Sequence, residues 1–341
     1  MKKLLTIVLV AAAGFAAEGY KVLSKIKIGG ANSWDYVVAD SANRRVYVSH
    51  GNSLEIVDPD AGKVLGTVAD LQGVHGVAVA PELNKGFISN GRGNNVTVFD
   101  LKTFAKLGDV ATGQNPDSIC YESKTQRVFA FNGRSNDSTA IDAKTNAVVG
   151  TFPVGPKPEY CASDGNGHMY ANIENSSEVV EIDAAKPGVM RRASLAPCDG
   201  PSGLAIDIKD KALFSVCGNK MMAVTDIASM KVIATPAIGS GCDGAGFDAG
   251  LGLAFSSNGG DATLSIVKKV NGKWDTADTV PTERGARTMT VDEKTHRVYL
   301  LAAEYGPPPE QPKEAPKEGQ KKGGGRAPTL ADSYHILVVG K

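Results

Sequence analysis

Aromatic residues and unbalanced charge are both scarce in this sequence. Only 6% of its 341 residues are aromatic, Trp34 and Trp274 are its two tryptophans, and 37 basic side chains match 37 acidic ones. Without excess positive charge the chain lacks the attraction that dominates nucleic-acid binding, so we expect no nucleic-acid partner. Two tryptophans are also too few to sandwich a quinone-type cofactor.

Motifs of common catalytic and cofactor sites are absent as well. The sequence contains no H-E-x-x-H, no EF-hand loop, no C-x-x-C-H and no G-x-S-x-G. These motifs place zinc, calcium, haem and a nucleophilic serine, respectively. We therefore predict no cofactor and no catalytic residue, and the question whether the chain is an enzyme stays open.

Long apolar runs are missing except at the N-terminus. Lys2 and Lys3 precede an apolar stretch at 4–10 and a small-residue stretch at 11–17. This order predicts a secretory signal peptide at 1–17, because the apolar stretch is shorter than the roughly 20 residues of a membrane span. We expect the mature protein to be periplasmic or secreted, with no membrane span after cleavage.

Glycine is abundant, at 39 residues, and one pattern of short apolar runs and polar turns recurs seven times. The aromatics that share one slot of this repeat are Tyr47, Phe87, Phe129, Tyr170, Phe214, Phe255 and Tyr299. They are 40 to 44 residues apart, and each copy holds four strand-like runs. This period predicts an all-β fold, a single seven-bladed β-propeller of four-stranded blades over 18–341.

The last copy lacks a fourth strand and carries an insertion. Residues 21–29 resemble the outer strands at 63–68 and 231–239, so we predict that the N-terminal strand completes the last blade. Closing the ring in this way removes open sheet edges. Residues 305–332 are rich in Pro, Lys, Gly and Glu, which predicts a disordered insertion within that blade.

Propeller geometry gathers two slots of each repeat around one mouth of the central channel. One slot lies 11 or 12 residues before the aromatic, the other lies three residues after it, and arginines follow in two of the next loops. The predicted ligand-binding residues are Asp35, His50, His75, Asn90, Arg92, Asp117, Asn132, Arg134, Glu159, Asp243, Asn258 and Arg287. Convergent polar groups in a concavity are typical of ligand sites. The alternative, that they satisfy one another and channel waters, stays open.

The same mouth could also hold a divalent cation. Carboxylate and amide oxygens of Asp35, Asp117, Glu159 and Asn132 suit Ca²⁺ or Mg²⁺. The imidazoles of His50 and His75 would shift the preference towards a transition metal. These residues come from separate blades with no diagnostic spacing, so we predict no metal site.

The five cysteines lie in a chain that we expect to enter an oxidising compartment. Cys198 and Cys217 should share one face of the fifth blade, and we predict a disulfide between them. Cys242 is the rival partner of Cys217. Cys120 and Cys161 occupy identical slots in adjacent innermost strands, where we expect small apolar packing.

The repeats resemble the YVTN family of bacterial β-propeller proteins. The resemblance rests on RRVYVSHGNSLEIVD (44–58), KGFISNGRGNNVTVFD (85–100) and the Gly-x-x-Pro links at 113–116 and 155–158. Three stretches of the C-terminal half look closer to the YncE-like group: CDGPSGLAID (198–207), FSSNGGDATLSIV (255–267) and GARTMTVDEKTHRVYL (285–300). The resemblance implies a seven-bladed propeller and export, and it carries over no catalytic residue.

We therefore interpret the chain as an exported propeller that binds a small ligand or a protein partner at the channel mouth, without catalysis and as a monomer. Two alternatives stay open. In one, the Asp, Glu, His and Arg side chains of the mouth polarise a carbonyl and activate water, as a metal-assisted lactone or ester hydrolase would. In the other, the rim loops and the 305–332 insertion serve cell-surface adhesion or scaffolding.

Overall fold

The computed structural model describes residues 19–30, 33–307 and 327–341. The predicted signal peptide at 1–17 and most of the insertion at 305–332 lie outside these residues. No helix within these ranges is long and apolar enough to cross a membrane. The described residues form 28 β-strands and two short 3-10 helices, Pro81–Leu83 and Glu174–Ser176.

The strands form seven four-stranded antiparallel sheets, as predicted, each with its first strand nearest the channel. Blade 1 contains β2 (Val37–Asp40), β3 (Arg45–His50), β4 (Ser53–Asp58) and β5 (Lys63–Val68). Blade 2 contains β6 (Val74–Ala80), β7 (Lys85–Asn90), β8 (Asn95–Asp100) and β9 (Lys106–Ala111). Blade 3 contains β10 (Pro116–Glu122), β11 (Arg127–Asn132), β12 (Asp137–Asp142) and β13 (Val148–Pro153). Blade 4 contains β14 (Pro158–Ser163), β15 (His168–Ile173), β16 (Glu178–Asp183) and β17 (Gly188–Ser194).

The remaining three blades follow the same order. Blade 5 contains β18 (Pro201–Asp207), β19 (Ala212–Cys217), β20 (Met221–Asp226) and β21 (Lys231–Ala234). Blade 6 contains β22 (Cys242–Asp248), β23 (Leu253–Asn258), β24 (Thr263–Val270) and β25 (Lys273–Pro281). Blade 7 contains β26 (Met289–Asp292), β27 (Arg297–Ala302), β28 (His335–Gly340) and, from the N-terminus, β1 (Lys21–Lys27).

The N-terminal strand closes the ring, which confirms the prediction. β1 pairs antiparallel with β28, with Lys21 opposite Gly340 and Lys27 opposite His335. The innermost strand of blade 7, β26, lies beside the innermost strand of blade 1, β2. The two ends of the chain therefore meet in one sheet, and the propeller has no open blade between its termini.

The hydrophobic core lies between the blades rather than in one central mass. Seven apolar clusters each join residues of two neighbouring blades. Each repeated aromatic belongs to a different cluster, and all seven are almost completely buried. The regular slot therefore supplies one large side chain to every interface between blades.

Acidic residues that end the third strand of a blade hold the following turn. Asp100 Oδ1 accepts hydrogen bonds from the backbone N–H groups of Lys102 and Thr103, each at 2.8 Å. Asp142 does the same for Lys144 and Thr145 in the next blade. These repeated acids are turn caps. The acids of the channel are the remaining candidates for a functional site.

Two disulfides connect the described cysteines. The predicted Cys198–Cys217 bond is present. Cys120 and Cys161, which we assigned to apolar packing, are also bonded. That prediction was wrong because identical slots on the adjacent strands β10 and β14 bring the two Cα atoms to 6.1 Å, within disulfide range. Cys242 is free, and its thiol donates a hydrogen bond to the carbonyl oxygen of Cys217 at 3.1 Å.

The insertion begins and ends side by side between β27 and β28, the position that the sequence predicts. Tyr305 and Thr329 form an isolated antiparallel bridge. The backbone N–H of Gly306 donates to the Pro328 carbonyl oxygen at 2.8 Å, and that of Leu330 donates to Glu304 at 2.7 Å. The two stems are thus held together, and residues 308–326 lie outside the described part.

Candidate functional site: the acidic channel mouth

One residue near the start of each innermost strand faces the same end of the channel. These seven mouth residues are Asp35, His75, Asp117, Glu159, Ser202, Asp243 and Arg287. Hydrogen bonds between neighbouring blades fix their level. The backbone N–H of Tyr36 donates to His75 O at 3.2 Å, and that of Gly244 donates to Arg287 O at 2.8 Å. The mouth is therefore built on strands rather than on loose loops.

A cavity of about 400 Å³ opens at this end. Its lining comprises Asp35, Tyr36, Asp117, Lys157, Glu159, Glu174, Gly200, Ser202, Gly218, Cys242 and Asp243. Four residues of the predicted set, namely Asp35, Asp117, Glu159 and Asp243, line it. Sequence reasoning missed Tyr36, Lys157 and Glu174. A volume in this range is typical of small-molecule sites.

Two tyrosines close the channel beneath the mouth residues. The rings of Tyr36 and Tyr160 have centroids 4.3 Å apart, although they come from blades 1 and 4 on opposite sides of the seven-blade ring. The corresponding positions of the other five blades carry small residues, namely Gly76, Ser118, Gly203, Gly244 and Thr288. Those small residues leave room for the two rings, and this contrast is the signal that could have found the pair.

His75 lies between two carboxylates. Its Nδ1 is 2.6 Å from Asp35 Oδ2 and 3.5 Å from Asp117 Oδ1. Burial alone would lower the pKa of His75, but the hydrogen bond with Asp35 and the charge of Asp117 raise it. Burial also raises the pKa of Asp117 to about 6, against the opposing charge of His75. Gly91 makes room for the ring, because a Cβ there would lie 2.5 Å from His75 Nε2.

Arg287 and Ser202 hold the carboxylate of Asp243 on another side of the mouth. Arg287 Nε donates to Asp243 Oδ2 at 2.6 Å, and Ser202 Oγ donates to Asp243 Oδ1 at 2.6 Å. Burial raises the pKa of Asp243, although the guanidinium opposes this shift. Arg287 also comes within 3.7 Å of Asp35 Oδ1, so it connects the two sides of the mouth.

Lys157 and two glutamates form the third part of the lining. Lys157 forms an ion pair with Glu174, and its Nζ is 3.4 Å from Glu159 Oε1. Burial and the charge of Asp117 raise the pKa of Glu159 to about 9, which favours the neutral form of this carboxyl group. Lys157 is therefore committed to Glu174.

The asparagines of the second predicted slot, three residues after the aromatic, do not line the cavity. Nδ2 of Asn132 donates to Asp137 Oδ1 at 2.6 Å and to Thr139 Oγ1 at 3.0 Å, on the next strand of its own blade. The amides of Asn90 and Asn258 bond in the same way. These three asparagines are buried and lie outside the cavity lining.

Five other predicted residues are also outside the cavity lining, namely His50, His75, Arg92, Arg134 and Arg287, although His75 and Arg287 contact its carboxylates. His50 Nδ1 is 3.2 Å from Glu55 Oε1 in blade 1, and its ring lies 5.0 Å from that of Tyr334. Arg92 donates to Asn52 on the rim. Arg134 is exposed.

The cavity as a whole is acidic. Five carboxyl groups line it, those of Asp35, Asp117, Glu159, Glu174 and Asp243. Lys157 and Arg287 are the fixed positive charges in contact with them. Even with Glu159 neutral, four carboxylates face two fixed cations and His75. An arrangement of this kind favours positively charged ligands.

No family model matches the sequence, and no curated protein matches it. Among solved structures, the fold is similar to that of a chain of the Kuenenia stuttgartiensis hydrazine synthase, with a TM-score of 0.67 and 15% sequence identity. The similarity covers 79% of this chain and 92% of that chain. At such low identity it shows the propeller fold alone.

Proposed function

We propose that the protein is an exported β-propeller that binds a small, positively charged ligand in the channel-mouth cavity without catalysing a reaction. The observation that carries this proposal is the acidic cavity of about 400 Å³, which is lined by Tyr36, whose ring packs against Tyr160. Aromatic faces and carboxylates together attract organic cations. The two disulfides support an oxidising compartment, periplasmic or extracellular.

We also propose that the chain is a YVTN-type propeller of the YncE-like group. The seven repeats, their aromatic slot and the Gly-x-x-Pro links support this assignment.

The test is thermal unfolding of the purified mature chain with a panel of small organic ammonium compounds and matched carboxylates. We expect the cations to raise the unfolding midpoint in proportion to their occupancy, and the carboxylates to leave it unchanged. Asp243→Asn should weaken the shift, while Asp210→Asn, an exposed carboxylate paired with Lys269, should not. The proposal fails if no cation stabilises the protein or if carboxylates do so equally well.

A metal-assisted lactone or ester hydrolase is a second candidate. One observation favours it: His75 lies within 3.5 Å of Asp35 and Asp117, two carboxylates that line the cavity, a combination that can position a general base or a metal. Lactone and ester turnover by the wild type that Asp117→Asn abolishes would support this candidate. Equal turnover by both proteins, or none by either, would reject it.

A further inference from the structure

Three side chains that can ligate a metal converge from three successive blades. Asp35, His75 and Asp117 occupy the same mouth position in blades 1, 2 and 3. One ligand atom from each residue lies within 4.8 Å of the other two. Because all three stand on neighbouring innermost strands, the fold holds them at one level and on one side of the channel.

The spacing is close to what a bound ion requires. A metal with bonds of about 2.1 Å separates its ligand atoms by about 3 to 3.5 Å. His75 Nδ1 is already 2.6 Å from one carboxylate oxygen and 3.5 Å from the other. Small side-chain rotations would complete the arrangement, since all three side chains are partly exposed and the two carboxylates line the cavity.

The charges around this cluster leave it without a dedicated cation. Arg287 is hydrogen-bonded to Asp243 and approaches Asp35 only to 3.7 Å. Lys157 is paired with Glu174. Two partly buried carboxylates therefore share one imidazole and the more distant guanidinium of Arg287, an arrangement that favours a further cation.

A separate observation also points to a missing ligand. The hydroxyl oxygen of Tyr160 is buried, and no described residue gives it a hydrogen-bond partner. Tyr160 follows Glu159 in β14, and its ring packs at 4.3 Å on that of Tyr36, the residue after Asp35. A buried polar group without a partner calls for a bound water or ion.

We propose that Asp35, His75 and Asp117 bind one divalent transition-metal ion, of the Mn²⁺ to Zn²⁺ group, at the channel mouth. This inference rests on the proposed ligand-binding function and names a cation class for it. One imidazole nitrogen with two carboxylates favours these ions over Ca²⁺, which prefers oxygen ligands alone. Three protein ligands leave coordination positions open towards the cavity.

The test uses the purified mature chain, stripped of metal with a chelator. Isothermal titration calorimetry with Zn²⁺, Mn²⁺ and Ca²⁺, and elemental analysis after desalting, measure affinity and stoichiometry. We expect one Zn²⁺ or Mn²⁺ per chain and weaker binding of Ca²⁺. His75→Ala and Asp117→Asn should each weaken binding by more than about tenfold. His296→Ala is the matched control, because His296 contacts a single carboxylate, Asp248, at 2.8 Å.

Circular dichroism establishes that each variant is folded, and His75→Gln replaces His75→Ala if the latter is not. The proposal is overturned if the wild type binds neither Zn²⁺ nor Mn²⁺, or if binding persists in both the His75 and Asp117 variants. Stabilisation by organic cations without metal binding would overturn this inference and leave the proposed function intact. If neither organic cations nor metal ions bind, both this inference and the proposed function are overturned.

Discussion

Many carboxylate side chains of this protein hold turns, and Asp292 shows this role clearly. It is 1% exposed and accepts hydrogen bonds from Arg44 at 2.5 Å and Thr295 at 2.6 Å. Burial alone would raise the pKa of Asp292, but these hydrogen bonds lower it to about 2. The ionised form is therefore stabilised by folding.

Asp292→Asn should make the protein less stable at neutral pH. The folded pKa lies below the unfolded value of about 3.9, so this contribution is present above pH 4 and lost as the pH falls through 2. We expect a loss of about 2 kcal/mol at pH 7 and a smaller difference at pH 3, measured by urea unfolding. Exposed Asp199→Asn is the control. An equal effect of the two substitutions would contradict this account.

Sequence counting located the mouth carboxylates but not the direction of the second slot. The residue three positions after the aromatic lies at the end of a strand. Its position in the sequence does not say whether its side chain points to the channel or to the next strand of its own blade. Asn132 turns to Thr139, seven positions later, and Asn90 and Asn258 repeat the spacing with Thr97 and Ser265. That recurring pair of amide and hydroxyl residues was the available signal for a structural role.

Asn132→Ala should therefore affect stability and not ligand binding. It removes one buried and one partly buried hydrogen bond and leaves Thr139 with fewer partners, so we expect a loss on the order of 1–3 kcal/mol. Urea unfolding measures the loss, and the thermal shift by cations measures binding. If the variant is as stable as the wild type but cations no longer raise its unfolding midpoint, Asn132 is a ligand-binding residue.

At the scale of strands, the Cys120–Cys161 disulfide links β10 of blade 3 to β14 of blade 4. It closes a loop across 41 positions and joins two innermost strands beside the channel. The sequence shows that both cysteines share a slot, but pairing depends on how closely neighbouring blades approach. That distance follows from the packing between blades, which the repeat period does not specify.

Replacing both cysteines with alanine should lower stability substantially. Chain-entropy reasoning gives about 4 kcal/mol for a loop of this length. Urea unfolding of the double variant measures the loss, and Cys242→Ala is the control, since Cys242 forms no disulfide. Thiol titration of the unreduced, unfolded wild type should find one thiol per chain. Three thiols per chain would show that one disulfide does not form.

At the scale of the whole molecule, the repeat period predicted the architecture because every interface between blades needs the same large side chain. The shared slot therefore recurs seven times, and the missing fourth strand of the last copy pointed to the N-terminus. The contact between the two channel tyrosines was not predictable in this way. Tyr36 and Tyr160 come from blades that are distant in sequence, and their contact exists only once the ring is closed.

Ring closure by β1 should be necessary for a stable monomer. Deleting residues 18–27 removes the partner of β28 and the buried Ile26, whose side chain packs between blades 7 and 1. The bare edge of β28 would then present unpaired backbone groups, which promote association with other chains. We expect a lower unfolding midpoint and oligomers or aggregates in size-exclusion chromatography with light scattering. Deleting 308–326 is the matched control, because the stems at Tyr305 and Thr329 already form a bridge. If the chain without β1 is a monomer with the same unfolding midpoint as the wild type, β1 is not needed for a stable propeller.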